Sequence, residues 1–233
     1  MVKKLLCLLL AALLCQVPAA AFQAGGTPSL SVSISHTALV DGQGNLWTWG
    51  RNYYGELGNG SREDSAVPVR VMENVAAVSV SDGVTAAIKK DGSLWMWGSN
   101  HHGQLGIGFK AELNIGGTGF DYGFDRYIQT TPVRVMEDVE SVYTGNICTA
   151  AIKKDGSLWM WGDNQFGKIG NNNEWDYADR HNFAYQTHPV RVLEDVESVC
   201  ISDDGEAVAA VQRDGTLWMW GRSDFGILGN GGE

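Results

Sequence analysis

The side chains in this sequence that could bind a metal ion or catalyse a reaction are scattered acids and histidines. Glu174, Asp176 and Asp179 form an acidic segment, but it lacks the regular acidic spacing and the central glycine of a calcium-binding loop. His101 and His102 have no partners at the spacing of metal ligands, so we expect them to be surface residues of a turn. The sequence therefore predicts no metal site, no cofactor and no enzymatic activity.

The cysteines give no better candidate for catalysis. Cys7 and Cys15 lie in the apolar N-terminal segment, which leaves Cys148 and Cys200 in the body of the chain. Neither lies beside a His and an Asn or Asp in the arrangement that activates a nucleophilic thiol. Their positions fit either a disulfide between neighbouring repeats or two buried thiols. Pairing of Cys148 with Cys200 is therefore one of two open alternatives.

Two segments, residues 109–129 and 171–187, combine aromatic side chains with arginine and aspartate. Tyrosine, tryptophan and arginine are enriched at the residues that dominate protein–protein binding energy. We expect Trp175 to be the main anchor of such a surface. In the alternative interpretation, the two segments fold over the edges of the repeats and bury their own rings. The candidate interface residues are Phe120, Tyr122, Phe124, Arg126, Tyr127, Trp175, Tyr177, Arg180, Phe183 and Tyr185.

A repeated unit must position these two segments. Four stretches share the pattern Gly-x-Leu-Trp-x-Trp-Gly, and each is followed at fixed offsets by Gly-x-Leu/Ile-Gly. Large rings in strict register indicate core packing, not a ligand platform. The paired tryptophans, eight of the nine in the chain, are Trp47, Trp49, Trp95, Trp97, Trp159, Trp161, Trp218 and Trp220.

The constant half of the unit reads as short antiparallel strands. Residues 77–81, 84–89 and 94–97 alternate or are apolar, and Asp91-Gly92 predicts a two-residue hairpin turn. The repeated Pro-Val-Arg-Val segment predicts a further strand with proline at its first residue. One small sheet cannot bury its tryptophans alone, so we expect the sheets to stack, with each indole pair packed on the next sheet. The two variable segments then leave equivalent positions of adjacent sheets and lie side by side on one rim.

The stretch Thr-Ala-Ala-Ile-Lys-Lys-Asp-Gly-Ser-Leu-Trp-Met-Trp-Gly-x-Asn-x-x-Gly-x-Leu-Gly, residues 85–106, resembles the regulator-of-chromosome-condensation repeat family. The resemblance implies an all-β, seven-bladed propeller whose rims bind proteins, as the founding nuclear member does with a small GTPase and chromatin. Secreted bacterial members that inhibit β-lactamases by face-to-face contact are the closer analogy. Only four repeats are present, which predicts an open or incomplete propeller: an open arc, a ring completed by two chains, or a fragment of a longer protein.

The first residues predict export. A basic start with Lys3 and Lys4, an apolar run and the small residues Ala19 and Ala21 have the order of a secretory signal peptide cleaved near Ala21. The alternative is a membrane anchor, for which the apolar run is short. The predicted divisions are a signal peptide (1–21), a linker (22–28) and repeats at 29–75, 76–139, 140–196 and 197–233, the last truncated.

The acidic surface limits the partners. A formal net charge of −10 repels phosphate backbones and anionic headgroups, so we expect neither nucleic acid nor a membrane as partner of the mature chain. The sequence predicts a secreted protein-binding scaffold that acts through its rim segments and could self-associate through open sheet ends. The alternatives are an extracellular enzyme acting on a glycan or wall polymer, and an inactive fragment.

Overall fold

The repeated Leu-Trp-x-Trp segments form the third strands of four antiparallel sheets, which we call blades 1 to 4. The computed structural model describes residues 29–108, 127–171, 185–202, 207–222 and 224–231. Within these residues blades 1 to 3 have four strands in chain order, blade 4 has three, and no sheet closes on itself. The all-β prediction is confirmed. No helix in these ranges is long and apolar enough to cross a membrane.

The strands follow the predicted order in every blade. Blade 1 contains β1 (Ser29–Val32), β2 (His36–Val40), β3 (Leu46–Gly50) and β4 (Ser65–Met72), and blade 2 contains β5 (Val75–Ser81), β6 (Val84–Lys89), β7 (Leu94–Ser99) and β8 (Ile128–Met136). Blade 3 contains β9 (Val139–Thr144), β10 (Cys148–Lys153), β11 (Leu158–Asp163) and β12 (Tyr185–Leu193). Blade 4 contains β13 (Val196–Ile201), β14 (Ala207–Gln212) and β15 (Leu217–Gly221). The first strands pack on one another, β1 on β5, β5 on β9 and β9 on β13. They therefore form the inner side of the array.

The hairpin turn between the second and third strands differs from the predicted two-residue form. Lys89 N donates to the Ser93 carbonyl and Gly92 N to the Lys89 carbonyl, both at 2.9 Å, which leaves three residues in the loop. Only Gly92, with φ +87°, takes the left-handed conformation. Asp91 instead accepts hydrogen bonds from the Ser93 backbone and hydroxyl. The loop is thus a turn followed by a left-handed glycine, the usual three-residue solution.

The Pro-Val-Arg-Val segments form the outer strands, but proline is not the first residue of the strand. In β4, Pro68 lies three residues after the start at Ser65. The pairing of β3 with β4 shifts register at this point, where Thr48 faces Val69 but Gly50 faces Ser65. An edge strand tolerates proline at such an irregularity because the missing N–H would face solvent.

Successive blades are joined by one repeated contact, which we call the indole clasp. The Trp97 indole of blade 2 is fully buried and donates from Nε1 to the Glu56 carbonyl of blade 1 at 2.8 Å. The Thr85 hydroxyl donates to the same carbonyl at 2.7 Å. The ring lies over Gly58, where an added Cβ would stand 2.5 Å from Nε1. Glycine is required there by both the close approach and its φ of +71°.

The clasp recurs at the next two junctions. Trp161 donates to the Gln104 carbonyl at 2.8 Å and lies over Gly106. Trp220 donates to the Lys168 carbonyl at 2.9 Å. At that third junction Gly170 takes the place of Gly58 and Gly106 beneath the ring. In blades 2 to 4 the second tryptophan therefore packs on the preceding blade, not on the next one as predicted.

The first tryptophan of each pair has a different place. Trp95 and Trp159 are only half-buried, and their Nε1 atoms donate to the hydroxyls of Ser93 and Ser157 at 2.9 Å within the same hairpin. Trp218 of blade 4 is 48% exposed. The prediction that both indoles of a pair are core residues therefore holds fully only for the second indole of blades 2 and 3, Trp97 and Trp161, because the first lies at the hairpin end of the sheet.

Alanine substitution of two equivalent glycines distinguishes the stability that depends on the indole clasp from the cost of a left-handed backbone. We expect Gly58→Ala to destabilise the protein by about 1–3 kcal/mol more than Gly229→Ala, because the new methyl group collides with Trp97. Gly229 is the matched control: it occupies the same position in blade 4 with φ +64°, and nothing lies within 4 Å of its added Cβ. Urea denaturation of both variants measures the difference. Equal losses of stability would contradict the clasp.

Candidate functional site

The two variable segments begin and end at the same edge of the array. The segment outside the described residues in blade 2 starts after Gly108 and returns at Tyr127; that in blade 3 ends before Tyr185. Gly108 N donates to the carbonyl of Thr187 in β12 at 2.9 Å, so the start of the first segment touches the return of the second. Asn100 N donates to the Tyr127 carbonyl at 2.6 Å. The described ends of the two segments are therefore adjacent, as the repeat spacing predicts.

Two of the ten predicted interface residues, Tyr127 and Tyr185, lie within the described residues, and both are half-buried. The predicted anchor, Trp175, lies outside them. The remaining predicted residues outside the described ranges are Phe120, Tyr122, Phe124, Arg126, Tyr177, Arg180 and Phe183.

Aromatic rings and histidines cluster beside these ends. The Tyr127 ring lies 5.3 Å from the His101 ring, which lies 5.6 Å from Tyr54 in an edge-to-face arrangement. Tyr54 makes a second edge-to-face contact with Tyr53 at 4.9 Å. The Tyr185 ring lies 5.7 Å from His102. Rings at these separations and angles attract one another through their quadrupoles. They connect blades 1, 2 and 3.

Cations lie over the exposed members of this cluster. Tyr53 is 44% exposed, and the guanidinium groups of Arg51 and Arg62 lie 5.4 and 5.1 Å from its ring centroid. Phe166 of blade 3 is 40% exposed and lies 5.3 Å from the guanidinium of Arg222 in blade 4. Such pairs hold large rings at the surface in a fixed orientation. We call this surface the aromatic rim; its residues are Tyr53, Tyr54, His101, His102, Tyr127, Phe166 and Tyr185.

Apart from Tyr127 and Tyr185, the rim residues come from a repeated position that the sequence interpretation overlooked. They occupy the two variable places of the Asn-x-x-Gly pattern, which are Tyr53 and Tyr54 in blade 1, His101 and His102 in blade 2, and Gln165 and Phe166 in blade 3. The two histidines are therefore not merely residues of a surface turn. Alignment of these places alone shows that each pair contains an aromatic or imidazole ring, which is the signal that could have identified the rim.

A buried charge supports the rim at blade 3. Lys168 is 1% exposed, and its Nζ lies 3.3 Å from Asp163. His102 Nδ1 lies 3.6 Å from the other oxygen of the same carboxylate. Burial alone would raise the pKa of Asp163, but the polar contact with His102, the hydrogen bond from the Gln165 backbone N–H and the charge of Lys168 lower it below its usual value. The carboxylate is thus ionised and lies between the Lys168 ammonium group and the His102 ring.

The equivalent buried positions in the other blades carry different groups. Gln104 of blade 2 is 1% exposed and reaches the Ser99 hydroxyl and the Asn146 carbonyl, each at 3.4 Å. Glu56 of blade 1 is fully buried and accepts a 2.6 Å hydrogen bond from Tyr54 N. Burial raises the pKa of Glu56. Each blade junction therefore has its own electrostatic character beneath a common packing scheme.

Two polar clefts adjoin the rim on its inner side. One, of about 300 Å³, is lined in part by Tyr54, His101, His102 and Gln104. Burial and the neighbouring His102 lower the pKa of His101, so its imidazole is neutral at neutral pH. The second, of about 400 Å³, lies at the ends of the inner strands and shares Asp82 and Asn146 with the first. In the described part of the chain no three His, Cys, Asp or Glu side chains come together as metal ligands.

The structure does not join Cys148 to Cys200. Cys148 is fully buried in the core of blade 3, and burial raises the pKa of its thiol to about 12. Cys200 is exposed on β13. The observed arrangement, one buried and one exposed thiol, matches neither alternative in full. A thiol with so high a pKa stays protonated and is inert as a nucleophile at neutral pH.

Stacked antiparallel blades joined by an indole clasp and carrying aromatic residues on one rim define a β-propeller repeat protein. The sequence profile of the regulator of chromosome condensation (RCC1) repeat matches residues 43–88, 91–152 and 155–204, and a second profile of the same repeat matches 29–56 and 75–104. The chain belongs to this family. The first two matched ranges start near the third strand of one blade and end in the second strand of the next, so each contains the carbonyl and the glycine of a clasp, and the clasp tryptophan follows in the next range.

Relatives of known name are longer than this chain. The ultraviolet-B receptor UVR8 of Arabidopsis thaliana is 27% identical over 227 residues, which cover 91% of this chain and 44% of the receptor. The mitochondrial RCC1 domain-containing protein RUG3 of the same plant is 31% identical over 84% of this chain and 42% of its own length. This chain spans less than half the length of these relatives.

Solved structures show the same fold. Yeast RCC1 (Prp20), in its complex with Kap60, superposes with a TM-score of 0.70 at 22% identity, over 88% of this chain and 45% of Prp20. Human WBSCR16 superposes with a TM-score of 0.65 at 18% identity, over 89% of this chain and 50% of that protein. The four blades therefore correspond to about half of a closed propeller.

His36 makes the junction of blades 1 and 2 sensitive to acid. Its Nε2 lies 2.7 Å from the Thr85 hydroxyl, which itself donates to the Glu56 carbonyl, so Nε2 must carry the proton. Burial lowers the pKa of His36 from 6.5 to about 4. Below pH 6.5 the unfolded chain binds a proton that the folded chain excludes, and stability is lost as the pH falls from 6.5 towards 4.

We expect this histidine to account for about 2 kcal/mol of the stability lost between pH 7 and pH 5. His36→Val gives blade 1 the residue that blade 2 has at the same place, Val84, and should remove that part of the pH dependence. Glu56 titrates in the opposite direction in both proteins and cancels in the comparison. Urea unfolding at the two pH values gives the answer; equal pH dependence with and without His36 would refute the assignment.

Proposed function

We propose that this chain is an exported protein-interaction module that binds a protein partner through the aromatic rim and the two variable segments beside it. The hydrogen bond between Gly108 and Thr187 carries the proposal, because it brings the ends of both segments together next to the rim. A partner placed there would meet exposed rings and guanidinium groups that are already held in position. Preorganised aromatic and arginine side chains lose little entropy on binding, which favours their use as anchors.

The comparisons support a binding role in general terms. Yeast Prp20 binds Gsp1p and histones and forms a complex with Kap60. These partners belong to that protein. For this chain, the net charge of −10 and the variable segments indicate a different partner, and the acidic surface disfavours nucleic acid.

Site-specific photo-crosslinking tests the rim. We expect a photoreactive amino acid at position 53 to capture a discrete partner from the medium or host surface to which the protein is exported. Position 43 is the matched control, because Gln43 is exposed in the hairpin turn between β2 and β3, at the other end of these strands from Tyr53. Equal capture at both positions, or capture at 43 alone, would reject the rim as the binding surface.

A second variant connects the crosslink to affinity. Tyr53→Ala removes a ring that is 44% exposed and should weaken binding of the captured partner about tenfold or more, as truncation of an anchor does. The fold should be unaffected, which circular dichroism would verify. Unchanged affinity of the Tyr53→Ala protein would show that the ring is not an anchor, and turnover of a glycan by the purified chain would support the enzyme alternative instead.

Export is tested separately. The order of basic, apolar and small residues before Phe22 supports cleavage after Ala21. We expect the secreted protein to begin at Phe22, as read by intact mass and N-terminal sequencing. Ala21→Tyr places a bulky residue at the cleavage position and should leave the segment attached. A full-length protein retained in the cytoplasm of both strains would contradict export.

A further inference from the structure

We propose that copies of this chain associate head to tail, with blade 1 of one copy docked on blade 4 of another through the indole clasp that joins successive blades within the chain. The proposal does not depend on the proposed function, because the surfaces concerned are the two end faces of the array and not the aromatic rim. Each inter-blade junction has a trailing face on the earlier blade and a leading face on the later one.

The complete junction of blades 2 and 3 defines what the two faces contain. On the trailing face Leu94, Met96 and Leu105 are fully buried. On the leading face Val142 and Trp161 pack against them. The trailing face also supplies the carbonyl and the glycine, and the leading face supplies the indole N–H.

Blade 4 has a trailing face that no described residue covers. Leu217 is 60% exposed, whereas the residues at the same position in the other blades, Leu46, Leu94 and Leu158, are fully buried. Ile227 occupies the position whose backbone carbonyl accepts the indole N–H in the other blades, and it is 49% exposed. The glycine of the clasp is also open, since nothing lies within 4 Å of a Cβ added to Gly229.

Blade 1 has the complementary leading face. Leu30 pairs with Leu39 as Val142 pairs with Ala151, yet Leu30 is 62% exposed and Val142 only 8%. Trp49 is the clasp tryptophan of this blade and is half-buried, in contrast to the fully buried rings of blades 2 and 3. The Trp49 indole is therefore a donor without a preceding blade among the described residues.

The partner that fits both faces is a second copy of the same chain. Trp49 of one copy would lie over Gly229 of the other and donate to the Ile227 carbonyl, as Trp97 does with Gly58 and Glu56 inside the chain. Thr37, at the place of Thr85, supplies the second donor for that carbonyl. Leu30 would meet the apolar surface around Leu217. The two faces differ, so the contact is heterologous and joins copies in one direction.

The mature chain can be tested for this association by sedimentation velocity over a range of concentrations. We expect the average mass to rise with concentration, and Leu30→Asp or Leu217→Asp to weaken association about tenfold or more. Both residues are more than half exposed, so the variants should fold. Val67→Asp is the matched control, because Val67 is a 48% exposed apolar residue on the outer strand of blade 1.

A mixing experiment distinguishes this contact from any symmetric one. The Leu30→Asp protein keeps its trailing face and the Leu217→Asp protein keeps its leading face, so an equimolar mixture should form pairs although each alone stays monomeric. Association of identical faces would give no such rescue. A wild-type chain that remains monomeric at about 100 µM, or variants that associate as well as the Val67→Asp control, would overturn the proposal.

Discussion

The indole clasp is the interaction on which the rest of this structure depends. A tryptophan from one blade reaches across to a glycine and a carbonyl of the preceding blade, and its N–H satisfies an acceptor that packing would otherwise bury. The ring supplies the apolar area that a four-stranded sheet cannot bury by itself. Glycine is fixed at the contact because a Cβ would overlap the indole. The tight sequence pattern follows from this geometry, and so does the freedom of the segments that lie outside it.

The sequence varies most at one edge of the array, where the aromatic rim lies. The clasp fixes the start of each loop after the third strand, and the two places between Asn and Gly are left to carry Tyr, His, Gln or Phe. In blades 1 and 2 these side chains contact each other and, through His101 and His102, Tyr127 and Tyr185 at the ends of the variable segments, so an aromatic surface forms on a scaffold whose packing does not depend on it. Beneath this surface, Glu56, Gln104 and Lys168 occupy equivalent buried sites with a carboxyl, an amide and an ammonium group. The blades therefore share their packing and differ in their electrostatics.

The indole clasp joins two unlike faces, the trailing face of one blade and the leading face of the next. Wherever the stack stops, one trailing and one leading face are left, and the exposed apolar residues of blades 1 and 4 lie on these faces. Closed propellers of the same family remove both faces by bringing the last blade against the first. The four blades described here correspond to about half of such a ring.

The sequence by itself determined the repeats, the blade strands, the family and the edge from which the variable segments leave, because period, turn glycines and paired tryptophans are local signals. It misjudged details that depend on neighbours: Pro68 lies within its strand, the hairpin turn has three residues, and only Trp97 and Trp161 among the paired indoles are fully buried. The partners of His101 and His102 come from different blades, so no local pattern could place them beside Tyr54 and Asp163. Tertiary structure alone decided these contacts, since they arise where stacked blades bring distant residues within a few ångströms.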